Sequence, residues 1–344
     1  YSKEGDYLKE IPPSIQVKEI SKNTKIYYSS IKACKKLGFL AFLKKSYLMT
    51  LCKLFGSERV MPRHLNKIKI NEKYDIAISF AHDISIKSTM WGANYIVNKM
   101  NASYKIAFVH SDPKESGYLT KFGIDLYKNF DKICCVSTYA TKQFKELTKL
   151  DNVMTVHNLI NIEEIITKSN EFSVDQYVKN SCINLITIAR ISPEKGIDRI
   201  LYVANRLEKE GVPYNWIVLG EGYQLDLYLE QVKKDGLQNL HFLGEVNNPY
   251  PYLKDSDVLV IPSYFEVAPL VIDEAITLNK PILTTRYGYA EELLDEKFIS
   301  DNDSEAFYYL VVDFIKNNKK EATFAGNFAE INELRKQEIK ELLK

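Results

Sequence analysis

No run in the chain approaches the roughly 20 apolar residues that a membrane span requires, so a bundle of spanning helices is excluded. No secretory signal opens it. The five cysteines (Cys34, Cys52, Cys134, Cys135, Cys182) form no C-x-x-C pair. An odd count without metal spacing points to reduced thiols in a cytosol rather than a disulfide framework. The five histidines are scattered, which leaves no visible zinc site. Internal repeats, nucleic-acid motifs and low-complexity tracts are absent too. What remains is ordinary globular composition, 45% hydrophobic and 26% charged, over 344 residues. That length favours about two domains with sizeable cores.

The net charge of +1 conceals an uneven spread. Between Ser21 and Ile70 there are twelve Lys or Arg against one acid, Glu58. Such asymmetry suggests an anionic partner for one lobe. A bilayer surface fits it, each nearby basic residue contributing about 1 kcal/mol. Residues 30–55 read as helical and Lys-rich, and Gly38 can split them in two. Lys44, Lys45 and Lys53 fall at scattered angles among apolar residues. That pattern fits a packed helical hairpin, whose lysine stems cover apolar surface, as well as a membrane-surface helix.

The opening residues are turn-rich and lead to a short expected strand over 15–20. From Tyr74 strands alternate with helices, which implies a parallel sheet. Strands are expected at 75–80, 104–110, 131–137 and 153–156, with helices at 85–99, 117–129 and 138–147. His110 ends one strand, and position at a strand's carboxyl end makes it a candidate. His82 follows another and is the weaker one. A polar connection over 158–175 suggests a domain boundary near Lys168.

The second half carries the clearer chemistry. A buried strand over 183–189 runs into Arg190, then Ser192-Pro193-Glu194-Lys195-Gly196, then a helix over 197–210. A helix start offers free N–H groups and a positive dipole end to a phosphate. Arg190 adds a planar fork and Lys195 a point charge. A strand over 214–219 ends in Gly220-Glu221-Gly222, where glycines let a backbone approach a ligand closely. A helix at 223–234 and a strand at 240–243 follow.

Then comes the stretch Ile261-Pro-Ser-Tyr-Phe-Glu266-Val-Ala-Pro-Leu-Val-Ile-Asp-Glu274. An apolar strand ends at Pro262-Ser263, a loop carries Glu266, and an apolar helix from Leu270 carries Glu274. On one helix the two carboxylates would stand about 12 Å apart along the axis. With Glu266 in the loop they can address different parts of one extended ligand. Without that context, Glu266 is an acid favoured by a helix dipole and Glu274 a solvated helix residue. Beyond it a strand at 281–285 and helices at 289–294, 304–315 and 320–344 complete the chain.

These motifs resemble the signature of the family-4 glycosyltransferases of the GT-B fold. The resemblance covers most of residues 74–294 and is most specific in the second half. It implies two Rossmann-like domains facing a cleft. They are an acceptor-side domain over 1–168 and a nucleotide-sugar domain over 169–325, followed by a terminal helix over 326–344 that can return to the first. By position, Arg190 and Lys195 would grip the donor diphosphate, Glu274 the ribose, and Glu266 and His110 the donor sugar. Gly220 and Gly222 would lie by the nucleotide and Val246 by its base. Val267, Ala268, Pro269 and Leu270 would lie against the donor. The family pattern has Gly and an aromatic where this chain has Val267-Ala268, and Gly where it has Ala189. A glycine-rich loop expected near the start of such a chain is missing, which suggests a fragment or a shortened protein.

The implied activity is metal- and cofactor-independent transfer of a hexose, with retention, from a nucleoside-diphosphate sugar. UDP is the expected carrier. The acceptor would be a saccharide or lipid-linked saccharide in surface glycan synthesis. The setting would be the cytoplasm or the inner face of the plasma membrane, with residues 21–70 toward anionic lipid and no nucleic acid involved. A non-catalytic GT-B protein assisting a partner glycosyltransferase, and another GT-B enzyme such as a sugar-nucleotide epimerase, are the alternative readings.

Overall fold

A computed structural model describes residues 8, 11–18, 22–80, 87–317, 324 and 327–343, so His82 lies outside the described residues. The chain divides into two compact units. The first takes residues 1–136 and 140–155, and the second takes residues 137–139 and 156–344.

The first unit begins with four helices: α1 (Lys22–Tyr28), α2 (Ile31–Lys36), α3 (Phe39–Phe55) and α4 (Ser57–Leu65). Gly38 and Gly56 break them with φ of 114° and 81°, values that disfavour any side chain. The helices gather on Tyr27, Leu48, Cys52, Met61, Leu65 and Trp91. There follow β1 (Lys73–Ser79), α5 (Ala93–Lys99), β2 (Asn101–Val109), α6 (Lys121–Tyr127), β3 (Lys132–Cys135), α7 (Thr138–Thr148) and β4 (Val153–Thr155). The four strands form a parallel sheet in the order β1-β2-β3-β4.

Two expectations fail here. The strand expected over 15–20 is absent across the described residues 15–18, where Ile15 closes a turn on Pro12 and is 57% exposed. With no apolar face to bury, nothing holds those residues extended. The helix expected from Ser85 begins only at Ala93, because Gly92 takes φ 118° against Leu65. A Cβ at Gly92 would stand 2.3 Å from the Leu65 side chain.

The second unit contains α8 (Ile162–Lys168), β5 (Ile183–Ile188), α9 (Ile197–Lys209), β6 (Tyr214–Leu219), α10 (Leu225–Asp235), β7 (Leu240–Gly244) and α11 (Tyr250–Asp255). It continues with β8 (Val258–Ile261), α12 (Leu270–Thr277), β9 (Ile282–Thr285), α13 (Gly288–Leu293), β10 (Ile299–Ser300), α14 (Ser304–Asn317) and α15 (Phe328–Leu342). All six strands run parallel in the order β10-β9-β8-β5-β6-β7. A parallel sheet is covered on both faces, which is why its strands read as unbroken apolar runs. Leu185, Trp216, Val218, Val258 and Val260 pack on α9 and α14. Their sequence neighbours Ile186, Ile217, Leu219 and Leu259 point the other way, into α12 and α13. The Trp216 indole N–H donates to Thr187 Oγ1 at 3.1 Å, and that hydroxyl donates to Val260 O at 2.8 Å, so this polar line through the core is satisfied. Among the described residues no helix is long and apolar enough to cross a membrane.

Candidate functional site

The strand order of the second sheet has a reversal point. From β5 the chain moves outward to β6 and β7, then returns to lay β8 on the other side of β5. At such a point the loops leaving two adjacent strands turn in opposite directions and open a crevice at their carboxyl ends. The loops here are residues 189–196, after β5, and 262–269, after β8. They are the two motif-bearing segments of the sequence.

The loops are interlocked. Pro193–Lys195 forms one 3-10 turn, and Gly196 starts α9 with φ 66°. A Cβ at Gly196 would stand 2.1 Å from the Pro262 carbonyl oxygen, so glycine is required by backbone angle and by contact. Tyr264 N–H donates to Glu194 O at 2.9 Å. Lys195 Nζ lies 2.5 Å from Glu266 Oε1, which also accepts from Ser263 Oγ at 2.9 Å. Buried Arg199, in the first turn of α9, donates to Pro262 O (3.1 Å), Ser263 O (3.4 Å) and Asn302 O (2.9 Å). Its guanidinium stacks on the Tyr264 ring at 3.8 Å. Thr285 Oγ1 donates to Ser263 O at 2.5 Å. Glu266 therefore sits on a loop anchored from α9 and from β9.

Beside the interlocked loops lies a cavity of about 390 Å³ walled by Arg190, Gly220, Glu221, Glu245, Val246 and Pro249 among others. Arg190 is exposed at its edge. Gly220 takes φ 136°, and a Cβ there would meet Ala189 O at 1.9 Å. At Gly222 it would meet Ile191 O at 2.0 Å. The glycines thus have a nearer cause than an approaching ligand. The loops after β5 and β6 pack backbone to backbone, with Ile191 N–H donating to Glu221 O at 2.9 Å.

Glu274 is half-buried on α12 and accepts from the Tyr250 hydroxyl at 3.2 Å. Burial raises its pKa, the Tyr250 bond opposes this, and the neighbouring Asp273 charge adds to the rise. Tyr250 begins α11 next to Pro249 on the cavity wall. Asp273 turns inward and is structural. Its buried carboxylate takes Arg335 at 2.6 Å and the Tyr289 hydroxyl at 2.9 Å, while Arg335 also reaches Asn158 O at 3.1 Å. In the connecting loop Val267 is buried, Ala268 O accepts from Asn158 Nδ2 at 3.3 Å, Pro269 precedes α12, and Leu270 is exposed.

His110 belongs to the first unit, directly after β2. Its ring lies 4.6 Å from that of Phe80 and stacks on Phe108 at 5.9 Å. Burial lowers its pKa, with a bond to the Phe80 backbone opposing, so the imidazole is neutral at pH 7.

Residues 170–330 match the family model described as glycosyl transferases group 1. That match lies within the second unit. An uncharacterised glycosyltransferase of Methanocaldococcus jannaschii is 29% identical over 230 residues, 62% of this chain and 56% of its own. A poly(ribitol-phosphate) α-N-acetylglucosaminyltransferase of Staphylococcus aureus is 22% identical, covering 68% of this chain and 47% of its own. The chain thus spans about half the length of the curated relatives it matches. Among solved structures, Anabaena HepE in complex with UDP-glucose has a TM-score of 0.60 at 19% identity, over 73% of this chain and 74% of its own. The pneumococcal O-GlcNAc transferase GtfA, with UDP and GlcNAc, has a TM-score of 0.60 at 16% identity, over 83% and 60%. The fold is that of the GT-B glycosyltransferases.

Within the matched residues, the structure brings Lys195 and Glu266 into contact and puts Arg190, Gly220 and Val246 around one cavity. Two residues of consequence escaped the sequence reading. Arg199 holds the Glu266 loop, and its only sequence signal is its place one helical turn beyond Lys195. Tyr250 holds Glu274 from 24 residues away and gives no local signal.

Proposed function

We propose that the chain transfers a sugar, with retention and without a metal, from a nucleoside-diphosphate sugar to a saccharide or lipid-linked saccharide acceptor in glycan synthesis. The observation that carries this is the junction of the two motif loops at the sheet's reversal point, where Lys195 Nζ meets Glu266 Oε1 beside the Arg190-edged cavity. The nucleoside occupies the cavity, its ribose toward Glu274, and the diphosphate lies on Arg190 and Lys195 at the start of α9. Glu266 orients the sugar.

As the bond between the anomeric carbon and the diphosphate oxygen breaks, negative charge grows on the leaving group. Arg190 and Lys195 stabilise that charge more in the transition state than in the ground state. The acceptor oxygen then bonds to the anomeric carbon, and its proton passes to the departing phosphate. UDP is the favoured carrier, supported by the UDP and UDP-glucose complexes of the structural relatives. In this reading the domain takes residues 169–325 for the donor, and the amino-terminal part receives the acceptor.

The test is calorimetric titration with UDP and GDP, beside turnover of UDP-sugars by the full-length protein, each with an Arg190→Ala control. Binding of one nucleotide that the control loses, together with a transferred sugar among the products, is the expected result. An isomerised sugar nucleotide, or turnover unchanged in Arg190→Ala, overturns it.

A further inference from the structure

We propose that helix α3 docks the first unit flat onto an anionic lipid bilayer. This inference is independent of the donor site. At 3.6 residues per turn, Phe39, Leu40, Leu43, Tyr47 and Leu54 fall within an arc of about 100° on α3. All five face outward, at 72%, 81%, 46%, 63% and 70% exposure. Thr50 is the sole polar residue inside that arc and is exposed as well. The opposite face, with Leu48 and Cys52, belongs to the helical core. An outward row of large apolar side chains along most of a 17-residue helix is unlike the scattered exposed leucines of an ordinary surface.

The lysines sort in a way that the sequence alone hid. Lys45 is buried, its ammonium held by Tyr27 O at 2.8 Å and Thr89 Oγ1 at 2.5 Å. It therefore leaves the outer surface. Lys53 lies along one border of the apolar arc and is exposed. Lys44 lies along the other, half-exposed and bonded to Asn23 Oδ1 at 2.6 Å. From α2, exposed Lys32, Lys35 and Lys36 stand just before the row, beside exposed Leu37. Beyond it, α4 and its exit bring exposed Arg59, Arg63, Lys67 and Lys69. The sole acid of the segment, Glu58, is engaged by the Thr120 hydroxyl.

An apolar stripe bordered by long cations is the surface of an in-plane interfacial helix: the rings and leucines enter the acyl boundary and the lysines reach phosphate. Charge complementarity selects the occupant. A second copy of this chain would set the basic surround against itself, whereas anionic lipid headgroups neutralise it.

The test is vesicle co-sedimentation of the full-length protein. One set of vesicles contains phosphatidylglycerol and phosphatidylcholine in a one-to-two ratio, and the other phosphatidylcholine alone. A Leu40→Ser/Leu43→Ser/Leu54→Ser variant and a Lys35→Ser/Lys36→Ser/Lys53→Ser variant are compared with the natural protein. All six positions are exposed, so circular dichroism and melting temperature are expected to be unchanged. Binding to the anionic vesicles, at least tenfold weaker in each variant and lost at high salt in the natural protein, supports the proposal. It is overturned if the natural protein does not bind anionic vesicles, if either variant binds them as well, or if the leucine variant instead converts a dimer to a monomer in analytical ultracentrifugation.

Discussion

Replacing Glu266 by Gln tests the site most directly, because the reasoning requires binding and turnover to move in opposite directions. Lys195 is held by Glu266 at 2.5 Å, with side chains 23% and 12% exposed. A diphosphate arriving at Lys195 competes with that carboxylate and is repelled by it. A charge-assisted hydrogen bond of this kind contributes roughly 1.5–3 kcal/mol. Gln keeps the shape and the Ser263 contact but gives up the charge. Recovering about 1.5 kcal/mol tightens UDP binding roughly tenfold. Turnover of the UDP-sugar falls at least about a hundredfold, the scale of losing a group that positions the reacting sugar. A double-mutant cycle isolates the cause: in a Lys195→Ala background the Gln substitution should give no gain in UDP affinity. Calorimetry supplies the affinities and product chromatography the turnover. UDP affinity unchanged or weakened in Glu266→Gln, or an equal gain with and without Lys195, would refute the reasoning.

Three further expectations concern the frame around the site. Gly196→Ala forces a Cβ against Pro262 O at a φ of 66°, so it should destabilise the second unit by about 1–3 kcal/mol and weaken UDP binding, seen as a lower melting temperature and a raised Kd. Arg335→Ala strands the buried Asp273 carboxylate and should cost about 3–5 kcal/mol in denaturant titration, with Arg335→Ala/Asp273→Asn recovering part of it. His157 carries a pH signature. Burial lowers its pKa, but the carboxylates of Glu292 and Glu338 outweigh that and raise it overall. Its folded value therefore exceeds the unfolded one. The stability it adds is fully present below the unfolded pKa of about 6.5 and is lost as pH rises through the folded value. His157→Gln should flatten that part of the stability–pH curve, and an unchanged slope in thermal melts would sink the assignment.

Much of this architecture was legible because buried parallel strands announce themselves. The strand expected at 214–219 is β6 residue for residue, and Pro262-Ser263 ends β8 where expected. Helix α8 went unread inside a polar connection, although Asn161 with Glu164 three residues on is a local capping pattern, and Asn161 Oδ1 accepts from Glu164 N–H at 3.2 Å. Helix α5 lost its first turns because Gly92 answers to Leu65, a contact no local window holds. In the candidate site, residue types with one evident chemistry could be singled out in the sequence: Arg190, Lys195, Glu266. Their supports were not. Arg199 resembles any helix arginine until its carbonyl partners are placed, and Asp273 looks as functional as Glu274 until Arg335 claims it. The outward apolar side of α3 was hidden for the same reason, since periodicity does not say which lysine turns inward.

The reversal at β5 has a consequence for how the domain could be taken apart. Lys195 and Glu266 touch across 71 residues of intervening chain. The turn at Gly236 falls between them, with φ 69° and open space around it. A chain cut there leaves one fragment with the cationic loop and another with the glutamates, neither holding both halves of the crevice. On the proposed donor reading, nucleotide capture would then report reassembly of the two pieces, and the domain would serve as a split reporter whose signal is the ligand itself.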